Sequence, residues 1–241
     1  MDKLIEVVDL VKQFGGIKAV WHCSFSVGKG EVLGVVGPNG SGKTTLINIM
    51  TGYYLPDGGK IILSGVDITG LDPAKIASMG VGRTFQMIRI FAKSTVYENV
   101  LIAASTYYRD LEEARKKTDE ALKFVGLYGL RDEKAKNLSY GQQKLLEFVR
   151  VMVRNPQVIM LDEPASGINP VMLGKLAEFI KTLNQSGKTF IIVEHNVKFV
   201  RQLCPRVLVM HEGQVIADGT PEEVFAAPTV IGAYLGKFAA S

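Results

Sequence analysis

The stretch Gly37-Pro38-Asn39-Gly40-Ser41-Gly42-Lys43-Thr44 fits G-x-x-x-x-G-K-[ST], a pattern that dictates a strand, a tight turn and a helix in that order. Glu31–Val36 before it reads as a buried strand, and Thr45–Met50 after it as a helix. Glycines let successive backbone N–H groups turn inward to make an anion nest. The helix that follows points its positive dipole end at the same place. Lys43 adds a point charge for β- and γ-phosphates, and Thr44 a hydroxyl for a magnesium ion. The expected nucleotide-binding set is Gly37, Pro38, Asn39, Gly40, Ser41, Gly42, Lys43, Thr44 and Thr45.

The rest of the chain must say which nucleotide reaction follows. Its 241 residues suffice for one large domain or a domain with an insertion. A net charge of +4 with no basic run gives no nucleic-acid arm, so no nucleic-acid partner is expected. Cys23 and Cys204 lie far apart without metal-like spacing, which favours reduced buried thiols. Met1–Glu6 is broken by charges and does not read as a signal peptide, and no apolar run is long enough to span a bilayer. The expectation is a cytosolic chain that reaches a membrane only through a partner.

Residues 3–9 and 20–27, separated by Phe14-Gly15-Gly16, suggest an antiparallel hairpin ahead of the phosphate loop. Lys60–Leu63 reads as a strand with Gly65–Ile68 as its continuation past a bend. Asp72-Pro73 opens a short helix, and Val81–Gln86 returns to a strand. Residues 87–155 then turn helical. Thr95–Thr106 is one helix. Asp110–Val125 is another, with a stripe at Leu111, Ala114, Thr118, Ala121, Leu122 and Val125 and exposed i,i+4 pairs Glu112–Lys116, Glu113–Lys117 and Asp119–Lys123. Ser139 with Gln142 matches a capping box opening a third, buried along Leu145, Leu146, Phe148, Val149, Met152 and Val153. Val158–Leu161 is a continuous apolar run suited to a parallel strand covered on both faces, and Lys188–Val193 reads as a further buried strand. Asn169-Pro170 caps the helix between them, Glu212-Gly213 marks a hairpin, and Thr220–Glu223 caps a short helical tail. The expected fold class is α/β, a phosphate-loop core with an N-terminal antiparallel β layer. Residues 1–86 and 156–241 form that core, and 87–155 an inserted helical subdomain.

Ligands of open α/β sheets lie off the carboxyl ends of strands. Asp162 and Glu163, ending one such strand, are therefore placed for magnesium and for polarising an attacking water. His195 ends another. Alone it reads equally as a surface residue or as a contact to a transferred phosphoryl group. Phe14 reads as a half-exposed hairpin aromatic or as a stacking surface for a base, and spacing alone favours the first. Ser139–Gln142 is an ordinary helix cap or a second anion site. Two phosphate sites in one chain suggest two copies closing on each other's nucleotide.

With these residues in order, the chain resembles the ATP-binding cassette proteins. Leu138-Ser139-Tyr140-Gly141-Gln142 is similar to their signature sequence, with tyrosine where glycine is usual. Phe14, the phosphate loop, Gln86, the signature, Asp162-Glu163 and His195 follow the family order across essentially the whole chain. The resemblance implies a RecA-like P-loop core, ATP and Mg²⁺ as ligands, and Phe14 as the adenine-stacking aromatic. It implies magnesium contacts from Thr44, Gln86 and Asp162, and catalytic roles for Glu163 as base, His195 as switch histidine and Gln86 as sensor. Ser139, Gly141 and Gln142 would meet the γ-phosphate held by a second protomer. Ser166-Gly167-Ile168-Asn169 departs from the usual serine-alanine-leucine-aspartate, which puts cross-dimer communication in question, as Tyr140 does for the signature turn.

Arg83-Thr84-Phe85-Gln86, Thr95–Val100 and the ending Gly219–Glu222 with Ala233-Tyr234-Leu235-Gly236 resemble the ATP-binding subunits of branched-chain amino acid importers. Urea or short-amide importers and lipopolysaccharide-export ATPases lie nearby. This implies an ATPase energising transport, working as a homodimer or with a paralogous ATPase subunit. Its further partners would be integral membrane permease subunits and, indirectly, an extracytoplasmic solute-binding protein. Its place would be the cytoplasmic face of the cell membrane.

Overall fold

The computed structural model describes residues 2–235, and the Gly236 end of the tail motif lies outside them. Strands β1 (Lys3–Phe14) and β2 (Ile17–Gly28) form the expected antiparallel hairpin, both longer than the sequence suggests. The extra length is hidden by bulges: Asp9 and His22 adopt φ of 49° and 53°, which breaks the two-residue alternation, and their side chains pair at 2.6 Å. After β3 (Val32–Val36) and α1 (Lys43–Met50) come β4 (Gly58–Leu63) and β5 (Val66–Asp67). β5 does not continue β4 but folds back on it, with Leu63 opposite Val66. The two-residue turn Ser64-Gly65 has φ of 50° and 80°, the geometry of a hairpin return.

Next come α2 (Pro73–Ser78), β6 (Val81–Arg83), α3 (Val96–Ser105), α4 (Leu111–Phe124), α5 (Tyr140–Met152), β7 (Val158–Asp162), α6 (Pro170–Gln185) and β8 (Thr189–Val193). β6 ends at Arg83, which leaves Gln86 in the loop beyond it. Helix α4 buries Ala114, Thr118 and Leu122, but Leu111 at its start is half exposed because the first turn precedes the packed stripe. Its ion pairs run i,i+3, Arg115–Glu112 at 3.0 Å and Lys117–Glu120 at 2.8 Å, rather than i,i+4. Both spacings put side chains on neighbouring turns, and exposed pairs choose between them at little cost. Helix α7 (Val197–Leu203) goes beyond the sequence expectations; Asn196 caps it, and Phe199, Val200 and Leu203 are buried. β9 (Arg206–His211), β10 (Gln214–Gly219), α8 (Pro221–Ala226) and α9 (Pro228–Leu235) complete the described chain.

Two sheets result. One is antiparallel, in the order β2-β1-β4-β5. The other runs β10-β9-β3-β8-β7-β6 and is parallel from β9 to β6. Alternation along the parallel strands divides the core. Leu33, Val35, Val158, Met160, Ile191 and Val193 face the antiparallel layer and α1. Val32, Val36, Ile159, Leu161, Phe190 and Ile192 face the other side. There they join one apolar cluster with Val100, Leu122, Leu146 and Phe148 of the helical block. The parallel strands place the ends of β3, β6, β7 and β8 on one edge, and the loops there carry Gly37, Gln86, Asp162-Glu163 and His195.

Candidate nucleotide site

The phosphate loop is built as its residues require. Gly42, at the start of α1, has φ of 102°, and a Cβ there would lie 2.1 Å from the carbonyl oxygen of Ala19 on β2. Only glycine satisfies both constraints. The Gly213 N–H, in the β9–β10 turn, donates to the Ser41 carbonyl at 3.1 Å and braces the loop from the other side. Lys43 is 5 % exposed and folds its ammonium onto the loop, donating to the carbonyls of Gly37 at 2.8 Å and Pro38 at 2.9 Å. Thr44 is exposed on the first turn of α1, with Thr45 half-buried beside it. Pro38 and Asn39 form the outer turn, and Gly40 and Ser41 close it.

Glu163 is the meeting point of the catalytic candidates. Gln86 Nε2 donates to its Oε2 at 3.1 Å. His195 Nδ1 lies 3.8 Å from its Oε1. The Glu163 backbone has φ of 48°, uncommon for a residue with a side chain, and its N–H donates to the Val193 carbonyl at 2.9 Å. A single carboxylate thus sits between an amide donor and an imidazole at the sheet edge, an arrangement that can orient and polarise water.

Asp162 beside it is 1 % exposed. Arg83 Nη2 donates to its Oδ2 at 3.2 Å, whereas its buried Oδ1 has no hydrogen-bond partner. Burial raises its carboxyl above the usual range, against the pull of Arg83. An enclosed carboxylate oxygen without a partner, at the end of a strand whose neighbour β8 pairs with the β3 strand leading into the phosphate loop, suits the oxygen-ligand demands of magnesium.

Ser139 Oγ accepts from Gln142 N–H at 3.4 Å, and Gln142 Oε1 accepts from Ser139 N–H at 2.9 Å, so the capping box is formed. Gly141 lies in the first turn of α5 against Met172. These bonds join Ser139 and Gln142 to each other rather than to Gln86, Glu163 or His195; α5 meets the Gln86 loop one turn further on, at Lys144. Phe14 stands at the hairpin tip, 43 % exposed, with its ring edge-to-face with Tyr54 at 5.3 Å and the Lys12 ammonium 5.3 Å from its centroid.

Sequence reasoning missed the residues that hold this group. Glu194, fully buried, accepts from Ala165 N–H at 2.6 Å, His195 N–H at 3.1 Å and Asn196 N–H at 3.2 Å, tying the loops after β7 and β8 together. On α5, Lys144 Nζ donates to the Gln86 carbonyl at 3.1 Å, and Glu147 Oε1 accepts from Arg89 N–H at 3.1 Å. The signal was present: charges three residues apart inside an otherwise apolar helical stripe. Beside the Gln86 loop opens a groove of about 460 Å³, lined among others by Tyr53, Arg83, Phe85, Arg89, Glu147 and Arg150.

A parallel sheet whose edge presents this loop, an Asp-Glu pair and a converging glutamine and histidine defines a P-loop ATPase. The chain belongs to the ABC transporter family, whose model matches residues 20–166. A second family model, described as branched-chain amino acid ATP-binding cassette transporter, matches residues 214–240. The chain is 40 % identical to the high-affinity branched-chain amino acid transport ATP-binding protein LivG of Salmonella typhimurium, over 97 % of this chain and 98 % of that protein. It is 39 % identical to the probable LivG protein of Archaeoglobus fulgidus, over 97 % and 96 %. Among solved structures it is similar to the ADP conformation of MJ1267, an ATP-binding cassette of an ABC transporter. The TM-score there is 0.90 with 36 % identity, over 98 % of this chain and 100 % of that one. The dimeric structure of MJ0796, a bacterial ABC transporter cassette, matches with a TM-score of 0.83 and 27 % identity over 90 % and 98 %.

Proposed function

We propose that this ATPase energises an importer of branched-chain, hydrophobic amino acids, and that it works as a dimer closing on ATP. The observation that carries the mechanism is the convergence of Gln86 and His195 on the Glu163 carboxylate. In this reading Lys43 and the loop N–H groups bind the phosphates, and Phe14 stacks on the adenine. Glu163 takes the proton of the attacking water, oriented by Gln86, while His195 holds the transferred oxygen side of the site. Thr44, Asp162 and Gln86 are the residues fit to hold magnesium, which when bound supplies positive charge at the phosphate oxygens. Ser139, Gly141 and Gln142 of a second protomer complete the γ-phosphate site with a helix N-terminus.

No helix among the described residues is long and apolar enough to cross a membrane. In this reading the groove beside Gln86 receives a segment of an integral permease subunit at the cytoplasmic membrane face. Lys144 and Glu147 hold one wall of that groove to the Gln86 loop, so its filling reaches the water-orienting amide. The solute-binding protein acts on the far side through the permease. The amino acid transport of the LivG relatives supports the cargo.

Glu163→Gln should lower kcat by about 10²–10⁴-fold while ATP-induced dimers persist. Full ATPase activity in that variant removes Glu163 as the base. For the cargo, the chain reconstituted with its permeases should drive uptake of labelled leucine. Uptake of urea instead, or lipopolysaccharide export, overturns the importer assignment.

A further inference from the structure

The Ser139 end of α5 and the segment running from Glu163 into α6 are interlocked by two side chains, each seated on the other's glycine. Tyr140, the first residue of α5, lays its ring over Gly167. A Cβ on Gly167 would lie 2.8 Å from Tyr140 Cε1 and 3.3 Å from Cζ. Met172, in the first turn of α6, covers Gly141 in return, where a Cβ would lie 3.1 Å from Met172 Cγ. Both knobs are themselves fixed. Asn169 Oδ1 accepts from Met172 N–H at 2.9 Å, and the Ser139–Gln142 box pins the turn that carries Tyr140. Gly167 has φ of 73°, so the loop there requires glycine for its backbone as well as for the ring above it.

Tyr140 is 46 % exposed, so core packing does not account for it. Its neighbour in the fold is the loop that leads back to Glu163 through the Ser166 N–H, which donates to the Glu163 carbonyl at 3.1 Å. Two of the departures from the family pattern, tyrosine for glycine at 140 and glycine for alanine at 167, therefore form a complementary pair. The smaller residue makes the room that the larger one fills.

We propose that Tyr140 is a positioning residue. Through Gly167 it holds the Ser139 helix end and the loop following Glu163 as one unit, so the surface offered to a second protomer moves with the catalytic carboxylate. The mechanical link stands on this chain alone; its role in dimer closure rests on the dimer reading above.

Amide hydrogen exchange on the nucleotide-free chain tests the link. Tyr140→Gly should speed exchange at Ser166 and Ile168, whose N–H groups are bonded within this loop, by about tenfold or more, with β3 amides unchanged as a check of folding. Tyr140→Phe, which keeps the ring, should exchange like the parent. Parent-like exchange in Tyr140→Gly overturns the proposal. In a Glu163→Gln background, Tyr140→Gly and Gly167→Ala should each weaken the ATP-induced dimer, read by sedimentation, by about tenfold. The pair combined should lose less than the product of the two single losses. Losses that multiply overturn the coupling. If the Glu163→Gln chain itself stays monomeric in ATP, the dimer reading fails, while the exchange result still decides the Tyr140–Gly167 link.

Discussion

Arg83 Nη2 donates to Asp162 Oδ2 at 3.2 Å, and the pair is almost wholly enclosed, with side chains 7 % and 1 % exposed. Burial works against both charges, lowering the Arg83 pKa and raising that of Asp162. Arg83 spends its other donors on Thr51 Oγ1 at 2.8 Å and the Thr84 carbonyl at 3.3 Å, and lies 4.6 Å from the Phe85 ring. Removing one partner strands the other charge in the interior. Arg83→Met should therefore lose about 3–5 kcal/mol of unfolding free energy in urea titration. Adding Asp162→Asn should recover part of that loss, because the stranded charge goes with it. A double variant no better than Arg83→Met alone contradicts this account.

Glu147 gives the chain a pH-dependent stability term of defined sign. It is 4 % exposed, and burial raises its carboxyl above the ordinary value of 4.5 despite the N–H groups of Arg89 and Phe85 and the charge of Lys144. A raised pKa means the folded chain binds the proton more tightly than the unfolded chain. The contribution is fully present below 4.5 and is lost as pH rises through the folded value. Glu147→Gln keeps an oxygen for Arg89 N–H and removes the titration. The unfolding free energy of the variant relative to the parent should thus improve as pH rises from about 4.5 to about 8. A difference independent of pH would show that Glu147 does not titrate anomalously.

The thiols should be silent in the folded chain. Cys23 and Cys204 are both free and buried. Burial pushes Cys204 up to about 12 and raises Cys23, whose Sγ donates to the Gly213 carbonyl at 3.0 Å. At about pH 8 the Cys204 thiolate is then roughly one part in 10⁴, and thiolate is the reacting form. Ellman's reagent should titrate no thiol in the native protein over minutes and two after denaturation. One fast-reacting thiol in the native chain would place Cys23 at the surface.

What the sequence makes legible here is whatever a short pattern determines locally. The phosphate loop, the capping boxes at Ser139 and Thr220 and the apolar runs of β7 and β8 each carry their own geometry, and each forms as expected. The β1–β2 hairpin is legible in position but not in length, because the bulges at Asp9 and His22 interrupt its alternation. Helix α7 buries only Phe199, Val200 and Leu203, too short a stripe to stand out by periodicity. The site's own residues could be placed at strand ends, but their bracing could not. Arg83 meets Asp162 across neighbouring strands β6 and β7, and Glu194 bonds a loop twenty-nine residues away. Such pairings depend on strand order, which no local window contains. The Tyr140–Gly167 fit is of the same kind: the two residues show themselves as a pair only once α5 lies against the loop.

Glu194 should prove as important to turnover as it is to stability. Its Oε1 takes the Ala165 N–H and its Oε2 the N–H groups of His195 and Asn196, at full burial. Burial raises its carboxyl, against the pull of these three donors. Glu194→Ala leaves those N–H groups without an acceptor in the interior, each costing about 1–3 kcal/mol unless water enters. The loop after Glu163 and the loop bearing His195 then lose their common anchor. The phosphate loop has braces of its own, the Gly213 N–H on the Ser41 carbonyl and Lys43 on the carbonyls of Gly37 and Pro38. The expected result is a loss of about 3 kcal/mol or more in unfolding free energy. With it, kcat for ATP should fall about tenfold or more at little change in KM, since binding is spared and the reacting geometry is not. Steady-state kinetics at a temperature where the variant remains folded will separate the two. A rise in KM at unchanged kcat would mean that Glu194 supports nucleotide binding rather than the alignment of Glu163 with His195.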